Sequence, residues 1–388
     1  MLNLAKKYYN KMVQIRRDLH QCPEIAYCEY KTSEYIEKVL TEHHIPFQNK
    51  IAGTGIVGYI IGKQPGKTVL LRADMDCLPV MEQTGLPFAS KNEGFMHACG
   101  HDAHVAGLLG CAMILNEIKD QFSGTVKLVF QPGEEDAGGA EPMIKEGVLE
   151  NPHVDVCTAL HVTPGIDVGK IEVKHGPLFA SPDDFHIILH GVGGHGATPE
   201  LCKNPIMAAS EIIDSMHGEL KTLLQTDIPY VLSFCSFEAG TCATVIPDTA
   251  VIKGTIRTVD PILRSKTENA MQQIIAKICK KHGITYEFKY IYFYPATIND
   301  NHTTDLLAAS AAKVLKKENV IWRTEPKMIG EDFAYFAQKV PSSYFLLGCS
   351  NDDPATQNPL HSSNFNVDES CLLYGSSVMA QFAYDFLR

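Results

Sequence analysis

The sequence has 388 residues, enough for two or three domains of roughly 100 to 200 residues each. Its hydrophobic content of 45% supports buried cores and excludes an intrinsically disordered chain. The net charge of −11 argues against nucleic acids and anionic membranes as partners, because both bind basic surfaces.

The opening segment MLNLAKKYYNKMVQIRRDLH predicts a helix, because its apolar residues recur at helical spacing. It contains no apolar core of the length that a secretory signal needs, so we predict the first helix of a cytoplasmic protein. The longest apolar run covers about 11 residues, whereas a transmembrane helix needs roughly 20. The twelve cysteines include no C-x-x-C pair, and most are expected to be buried and reduced.

The first 180 residues alternate helix-like and strand-like stretches, which predicts an α/β layer structure. Predicted helices cover 4–20 and 32–43, and predicted buried strands cover 55–61, 68–72, 125–130 and 154–160. Each of the last three strands ends in a run rich in Asp, Glu, Gly, Pro or His. Ligands of open α/β sheets gather at the carboxyl ends of strands, so a site is expected there.

Residues 182–295 follow a different order, β-α-β-β-α-β, which is typical of the ferredoxin-like fold and long enough for an inserted domain. Residues 1–181 and 296–388 would then form the two parts of the main domain. The second part returns to α/β character, with predicted helices near 305–317 and 369–387 and a strand at 343–348.

The motif MHACGHDAH (96–104) places five potential metal-ligand side chains within nine positions. Imidazole and thiolate suit zinc and its neighbours, and Cys99 and His101 flank a turn held open by Gly100, so both can face one ion. The alternative is a solvated loop before a helix, with Asp102 as a helix cap. The density of ligand types favours a metal site. A thiol hydrolase with Cys99 as nucleophile is a minor alternative.

Two strand ends carry pairs of carboxylates. Glu134 and Glu135 follow a strand in FQPGEED, and because adjacent carboxylates repel unless cations separate them, the pair suits one metal ligand and one general base. Asp74 and Asp76 in LRADMDCLP lie on one side of an extended chain, where they could bind metal or orient a ligand histidine. For Asp76 we favour the orienting role, with a plain turn as the alternative, and we leave the role of Asp74 open.

Three further histidines lie in loops or at strand ends. His161 ends the third strand, and His361 precedes the closing helix in NPLHSSNFNVDE. With Cys99, His101 and Glu135 they give five candidate ligands, enough for two ions that share a bridging group. His195 lies in the glycine loop GVGGHGATP, which lacks the patterns of phosphate cradles, so nucleotide binding is disfavoured.

Nine motifs, in order, resemble those of the metal-dependent amidohydrolases that include bacterial N-acyl-L-amino-acid amidohydrolases, hippurate hydrolase and the plant auxin-conjugate hydrolases. The resemblance covers nearly the whole chain. The motifs are RRDLHQCPE, LRADMDCLP, MHACGHDAH, FQPGEED, ALHVTPG, GGHGATP, VIPDTA, GEDFAYF and LHSSNFNVDE.

The resemblance implies an α/β catalytic domain with a mixed sheet and helices on both faces, interrupted by a ferredoxin-like α+β lid and dimerisation domain. Two divalent ions, manganese or zinc, would be bound, and Glu134 would be the general base. The implied metal ligands are Cys99, His101, Glu135, His161 and His361. In a homodimer, His195 of the inserted domain would reach the partner subunit's site, and Arg257 would bind the substrate carboxylate.

The implied reaction is hydrolysis of an N-acyl-L-amino acid, a small-molecule substrate, to a carboxylate and a free amino acid. Paired ions would lower the pKa of bound water toward about 7, and Glu134 would accept its proton. Thr244 stands where the family usually has Asn, which puts the substrate preference in question. The alternatives are a dipeptidase or carboxypeptidase, and an inactive metal-binding or ligand-binding paralogue.

Overall fold

The computed structural model describes all 388 residues, which form nine α-helices and sixteen β-strands. The helices are α1 (Leu2–His20), α2 (Tyr30–Glu42), α3 (His101–Glu117), α4 (Ala140–Lys145), α5 (Pro205–Leu224), α6 (Pro261–His282), α7 (Asn301–Leu315), α8 (Ala334–Ala337) and α9 (Cys371–Leu387). The strands are β1 (Phe47–Ile51), β2 (Gly55–Ile61), β3 (Thr68–Asp74), β4 (Thr125–Gln131), β5 (Val156–Asp167), β6 (Ile171–Val173), β7 (Gly176–Phe179), β8 (Ser181–His190), β9 (Gly194–His195), β10 (Tyr230–Ala239), β11 (Val245–Ile246), β12 (Thr249–Thr258), β13 (Thr285–Ile291), β14 (Thr297–Asn299), β15 (Val320–Trp322) and β16 (Ser342–Ser350).

The chain divides into two compact units. The first unit consists of Met1–Gly176, Ile298–Glu325 and Asp332–Arg388, and the second consists of Pro177–Thr297 and Pro326–Glu331. The second unit is therefore inserted in the sequence of the first. None of the helices combines the length and the apolar character that a membrane span requires.

The first unit is built on a mixed sheet of eight strands in the order β1-β2-β4-β3-β5-β16-β6-β15. Strands β3, β4, β5 and β16 run parallel, whereas β1, β2 and β6 pair with antiparallel neighbours. Every residue of β3 and β16 is buried, as expected for central strands of an α/β sheet that is covered by other elements.

Helix α3 is the central helix of the first unit. After its first turn it is apolar on all sides, every residue from His101 to Leu115 is buried, and it packs against α1, α9 and β3. Because the helix is surrounded by protein, its amino-terminal residues are held in fixed positions at the end of the sheet.

The second unit has a four-stranded antiparallel sheet in the order β10-β12-β8-β13, with α5 and α6 packed on it. Burial alternates along β8, and the buried side chains of Phe185, Ile187 and Leu189 join the helix side chains in a separate core. The order β8-α5-β10-β12-α6-β13 is the predicted β-α-β-β-α-β order, and the predicted fold class is confirmed.

Strand β5 is longer than the strand predicted from the sequence. The sequence predicted a strand over 154–160 that ends at His161, whereas β5 runs from Val156 to Asp167 and contains His161. The strand is longer because β16 pairs with it in parallel from Cys157 to Thr163, and a strand so far along the chain is invisible in the local pattern.

Candidate active site

Three parallel strands bring the predicted site residues to one edge of the large sheet. In the β3–β4 pair, Asp74 lies opposite Gln131, so the segments that follow these two strands leave the sheet side by side. His161 lies on β5, the other neighbour of β3. The carboxyl ends of parallel strands meet at one edge, which is where ligands of α/β proteins bind.

A left-handed glycine connects this edge to helix α3. Gly100 precedes the helix with φ of 87°, and Cys99 and His101 lie on either side of it. A Cβ atom at Gly100 would lie 2.4 Å from Cγ2 of Val162 on β5. Only glycine allows both this backbone conformation and this close approach, which bring Cys99 and His101 to the strand that carries His161.

Replacing Gly100 with alanine is expected to lower the free energy of unfolding by about 1–3 kcal/mol, because the new Cβ is strained by the positive φ and collides with Val162. Urea unfolding followed by circular dichroism measures the effect. Gly107 is the matched control in the same helix: its Cβ would meet no atom within 4 Å, so Gly107→Ala should leave stability equal or raise it by up to about 1 kcal/mol. Equal stability of the two variants would contradict this account.

The five predicted ligand side chains converge. Cys99 Sγ lies 3.3 Å from His161 Nε2. Glu135 Oε1 lies 3.8 Å from His101 Nε2 and 3.4 Å from His361 Nε2. Ligand atoms of Cys99, His101 and His161 form one group within 4.8 Å, and those of Cys99, Glu135 and His361 form a second. We call these five residues the ligand cluster.

His361 reaches the cluster from the carboxyl-terminal segment. Its backbone N–H donates to the carbonyl of Ala98, 2.8 Å away, which fixes the loop beside the MHACGHDAH motif. Its φ of 64° lies in the left-handed region, which residues other than glycine seldom occupy and which is enriched at functional sites. The side chain is 55% exposed, so the cluster is accessible from this side.

The donor atoms of the cluster are oriented for a cation. His101 Nδ1 donates to the backbone carbonyl of Asp76 (3.0 Å) and lies 3.2 Å from its carboxylate, and His161 Nδ1 donates to the Val162 carbonyl (2.6 Å). In both rings Nε2 is therefore the nitrogen left to bind a metal. His101 Nε2 and Glu135 Oε1 are buried without a hydrogen-bond partner, which a bound cation would supply.

The pKa shifts of Cys99 and His101 also favour a bound cation. Burial, reinforced by the charges of Glu135 and Glu134, raises the pKa of the Cys99 thiol well above its usual value. Burial opposes the charged form of His101, but Asp74, Asp76 and Glu135 outweigh it and raise the pKa of His101 to about 10. A divalent cation would relieve both effects, because it stabilises a thiolate and occupies the site of the imidazolium proton.

Glu134 is buried next to the cluster, and one of its carboxylate oxygens lies within 4.8 Å of donor atoms of His101 and Glu135. It is carried by the segment 132–139, which we call the Glu134 loop. Asp76 Oδ2 accepts the backbone N–H of Glu135 (3.0 Å) while the same carboxylate faces His101, so Asp76 fixes this loop as well as the ligand histidine.

Two residues that the sequence reasoning missed also hold the Glu134 loop. The Glu29 carboxylate accepts the N–H of Gly133 (3.0 Å), and the Tyr27 hydroxyl donates to the carbonyl of Gly138 (2.6 Å). Glu29 is fully buried, and its burial raises the pKa of the carboxyl group to about 7. No local pattern identifies such residues, because they act through backbone atoms more than 100 positions away.

Asp74, whose role the sequence left open, lies beside the cluster with Oδ1 3.8 Å from His101 Nε2, but its carboxylate is already bound by two other side chains. Its carboxylate accepts hydrogen bonds from Arg72 Nη1 (2.6 Å) and from His104 Nδ1 (2.5 Å). His104 Nε2 in turn accepts the N–H of Val162 (2.9 Å). Both ring nitrogens of His104 are thus used in hydrogen bonds, so Asp74, His101 and His104 do not form a separate metal site although they lie close together.

The structure places His195 and Arg257 in the second unit. His195 is exposed on β9, opposite Val245, and its Nδ1 accepts the N–H of Ala197 (3.0 Å). Arg257 is half-buried on β12, between Val231 and Pro182 in the sheet register. All the other predicted site residues belong to the first unit.

Comparisons with known proteins identify a family that this chain matches. The sequence model of peptidase family M20/M25/M40 matches residues 70–385. Thermostable carboxypeptidase 1 of Saccharolobus solfataricus is 41% identical over 99% of this chain and 97% of its own length. N-acetylcysteine deacetylase of Bacillus subtilis is 37% identical over 97% of both chains.

The chain also resembles a solved structure of the same family. The crystal structure of a Bacillus subtilis protein described as a dinuclear metal-binding peptidase of the M20 family is 34% identical to this chain. The two structures superpose with a TM-score of 0.85, over 98% of this chain and 99% of that one. The match covers both units of the chain.

Proposed function

The chain belongs to peptidase family M20/M25/M40, and on that premise we propose that this metal-dependent amidohydrolase cleaves N-acyl-L-amino acids to a carboxylate and a free amino acid. One observation carries the proposal. A cluster of five thiol, imidazole and carboxylate donors, two of whose buried atoms lack a hydrogen-bond partner, lies directly beside the buried carboxylate of Glu134.

The proposed ligands are the five residues of the ligand cluster, and they suit two divalent cations because their donor atoms form two groups that share Cys99. Similarity to the dinuclear B. subtilis peptidase supports the same number. Thiolate and imidazole favour zinc, while Glu135 is also compatible with manganese, and we propose one of these two metals. Bound cations would polarise the amide carbonyl and make water easier to deprotonate.

The protein's own residues perform the remaining steps. We assign Glu134 as the general base that takes a proton from the attacking water and then gives it to the leaving nitrogen. Asp76 keeps the His101 ring and the Glu134 loop in place during both transfers. Arg257 would bind the substrate carboxylate, and His195 would donate a hydrogen bond to the developing oxyanion.

Cleavage of N-acyl amino acids is tested by amine release from N-acetyl, N-benzoyl and longer N-acyl amino acids and from dipeptides, with manganese-loaded or zinc-loaded protein and a chelated control. Metal-dependent release from acyl amino acids is the expected result. The 41% identity to a carboxypeptidase favours one alternative, since a peptide is itself an N-acyl amino acid. Cleavage of dipeptides alone would replace the proposal with that alternative, and no cleavage by metal-loaded protein would contradict both.

We further propose that the enzyme is a cytoplasmic homodimer formed through the inserted unit. All twelve cysteines are free thiols, which supports a reducing compartment. Strand β10 is an edge strand of the second sheet and exposes Val231 and Phe237, a surface that a second copy could cover. In such a dimer, His195 would act in the partner subunit's site.

Mixing two inactive variants tests this arrangement. Glu134→Ala and His195→Ala are each expected to be inactive, but a mixed dimer has one site with both residues intact. After exchange of subunits, activity should return to about one quarter of the wild-type value, because half of the dimers are mixed and one of two sites is complete. The control is either variant taken through the same exchange alone. Absence of recovery in dimers shown to be mixed would contradict the role of His195 across the interface.

A further inference from the structure

Arg72 is a fully buried cation inside strand β3, and its guanidinium group is the common end of two hydrogen-bonded branches. We propose that Arg72 is a positioning residue that aligns both the His161 segment and the Glu134 loop, so that metal affinity depends on it although it binds no metal itself. The inference rests on the proposed function, because the ligands concerned are the ones proposed above.

The guanidinium uses all three of its nitrogen atoms. Nη1 donates to Asp74 Oδ2 (2.6 Å), Nη2 donates to Asp332 Oδ1 (2.8 Å), and Nε donates to Gln131 Oε1 (2.9 Å). Arg72, Asp74, Gln131 and Asp332 are all at most 1% exposed. In such a buried environment each charged group needs its partners, because an unpaired charge is strongly destabilising.

The first branch leads from Arg72 to His161. Asp74 accepts the Nδ1 proton of His104, and His104 Nε2 accepts the N–H of Val162. The carbonyl of Val162 accepts the Nδ1 proton of His161. The orientation of Arg72 therefore fixes Asp74, Asp74 fixes the tautomer of His104, and His104 fixes the backbone that holds the His161 ring.

The second branch leads from Arg72 to the Glu134 loop. Asp332 Oδ2 accepts the backbone N–H groups of Gly139 (2.8 Å) and Ala140 (2.9 Å), where the loop ends. Gln131, the residue before the loop, donates from Nε2 to both oxygens of Asp332 (2.8 and 2.7 Å). Asp332 thus ties the start of the loop to its end, and Arg72 holds Asp332.

The two branches reach different members of the ligand cluster. The first ends at His161, in one candidate group, and the second supports the loop that carries Glu135, in the other. Arg72 contacts both branches through its own side chain. A planar guanidinium with fixed donor directions suits this task, whereas the ammonium group of a lysine is a single charge on a flexible stem.

The test is Co²⁺ binding to the metal-free protein, followed by the charge-transfer absorption that a cobalt–thiolate bond to Cys99 would produce. Arg72→Lys keeps the positive charge but loses the planar group with its fixed donor directions. The Co²⁺ affinity of this variant is expected to fall by about 10- to 100-fold, as is usual when a residue that orients a ligand is lost. Circular dichroism checks that the variant is folded. Wild-type affinity and an unchanged absorption band in Arg72→Lys would overturn the inference.

A matched control and a second variant complete the experiment. In the second unit, Arg264 binds the Asp183 carboxylate through two nitrogen atoms. Arg264→Lys removes a comparable guanidinium–carboxylate pair that lies far along the chain from the ligand residues, and it should leave the Co²⁺ affinity unchanged. Asp332→Asn breaks only the second branch and should weaken Co²⁺ binding without disturbing Asp74. If Arg72→Lys does not fold, wild-type affinity in Asp332→Asn overturns the inference.

The outcome is independent of the substrate assay. Normal cobalt binding by the wild-type protein, together with no cleavage of any substrate in the panel, would contradict the proposed function and leave the role of Arg72 intact. If the wild-type protein cleaves acyl amino acids and the Arg72 and Asp332 variants bind Co²⁺ with wild-type affinity, the proposed function stands and the role of Arg72 is contradicted.

Discussion

Replacing Glu134 with alanine is expected to lower kcat for amide hydrolysis by on the order of 100-fold or more, while the protein keeps its divalent metal. The carboxylate is buried beside the ligand cluster, and its loss removes the group assigned to accept the proton of water and return it to the leaving nitrogen. Steady-state kinetics on the best substrate and metal analysis of the same sample give the two quantities.

The matched control is Asp136→Ala, which removes an exposed carboxylate from the same loop and should change kcat less than about twofold, as is usual for a surface substitution. Loss of metal in Glu134→Ala would mean that Glu134 is a metal ligand and that Glu135 is the base. Full activity with metal retained would mean that another group is the base.

Removing the divalent cations with a chelator is expected to abolish hydrolysis and to lower the stability of the first unit. Each cation present at 100 times its Kd stabilises the folded state by about 2.7 kcal/mol. The folded protein loses this stabilisation when the chelator removes the cation from the ligand cluster. Activity, metal content and thermal unfolding are measured before chelation, after it, and after addition of manganese or zinc. Undiminished activity in protein shown to be metal-free would contradict the metal-dependent mechanism.

Two cysteine variants separate metal loss from general damage. Cys99→Ala removes a proposed ligand and should reproduce the effects of the chelator. Cys157→Ala truncates another fully buried cysteine of the same unit, one that lies outside the ligand cluster, and should retain metal and activity. Equal metal content in the two variants would exclude Cys99 from the ligand set.

The sequence was sufficient to predict the fold class and the residues that converge. The buried strands of the first unit are continuous apolar runs, and Glu135 and His161 follow or lie within them, so their proximity followed from the rule that ligands gather at the ends of parallel strands. His101 was predicted instead from the density of ligand types in its own motif. The β-α-β-β-α-β order was readable because each element of the second unit has its own clear periodicity.

The supporting contacts were not readable in the same way. Glu29 and Asp332 each accept hydrogen bonds from backbone N–H groups of the Glu134 loop. Because every residue except proline has such an N–H group, the sequence does not indicate which of them a distant carboxylate will bind. Arg72 did leave a signal in the sequence: it is a charged residue that directly follows the apolar run 69–71 inside the buried strand TVLLRAD. A buried charge of this kind requires partners, and the sequence does not say which ones.

The position of strand β16 determines when this protein can become active during its synthesis. The strand lies between β5 and β6, which are neighbours in sequence, and it is made almost 170 residues after them. Until the ribosome has released β16, two interior strands have unpaired edges, and His361 follows later still. We therefore expect the nascent chain to need protection from aggregation, and its metal centre to be completed only after nearly the whole polypeptide has emerged.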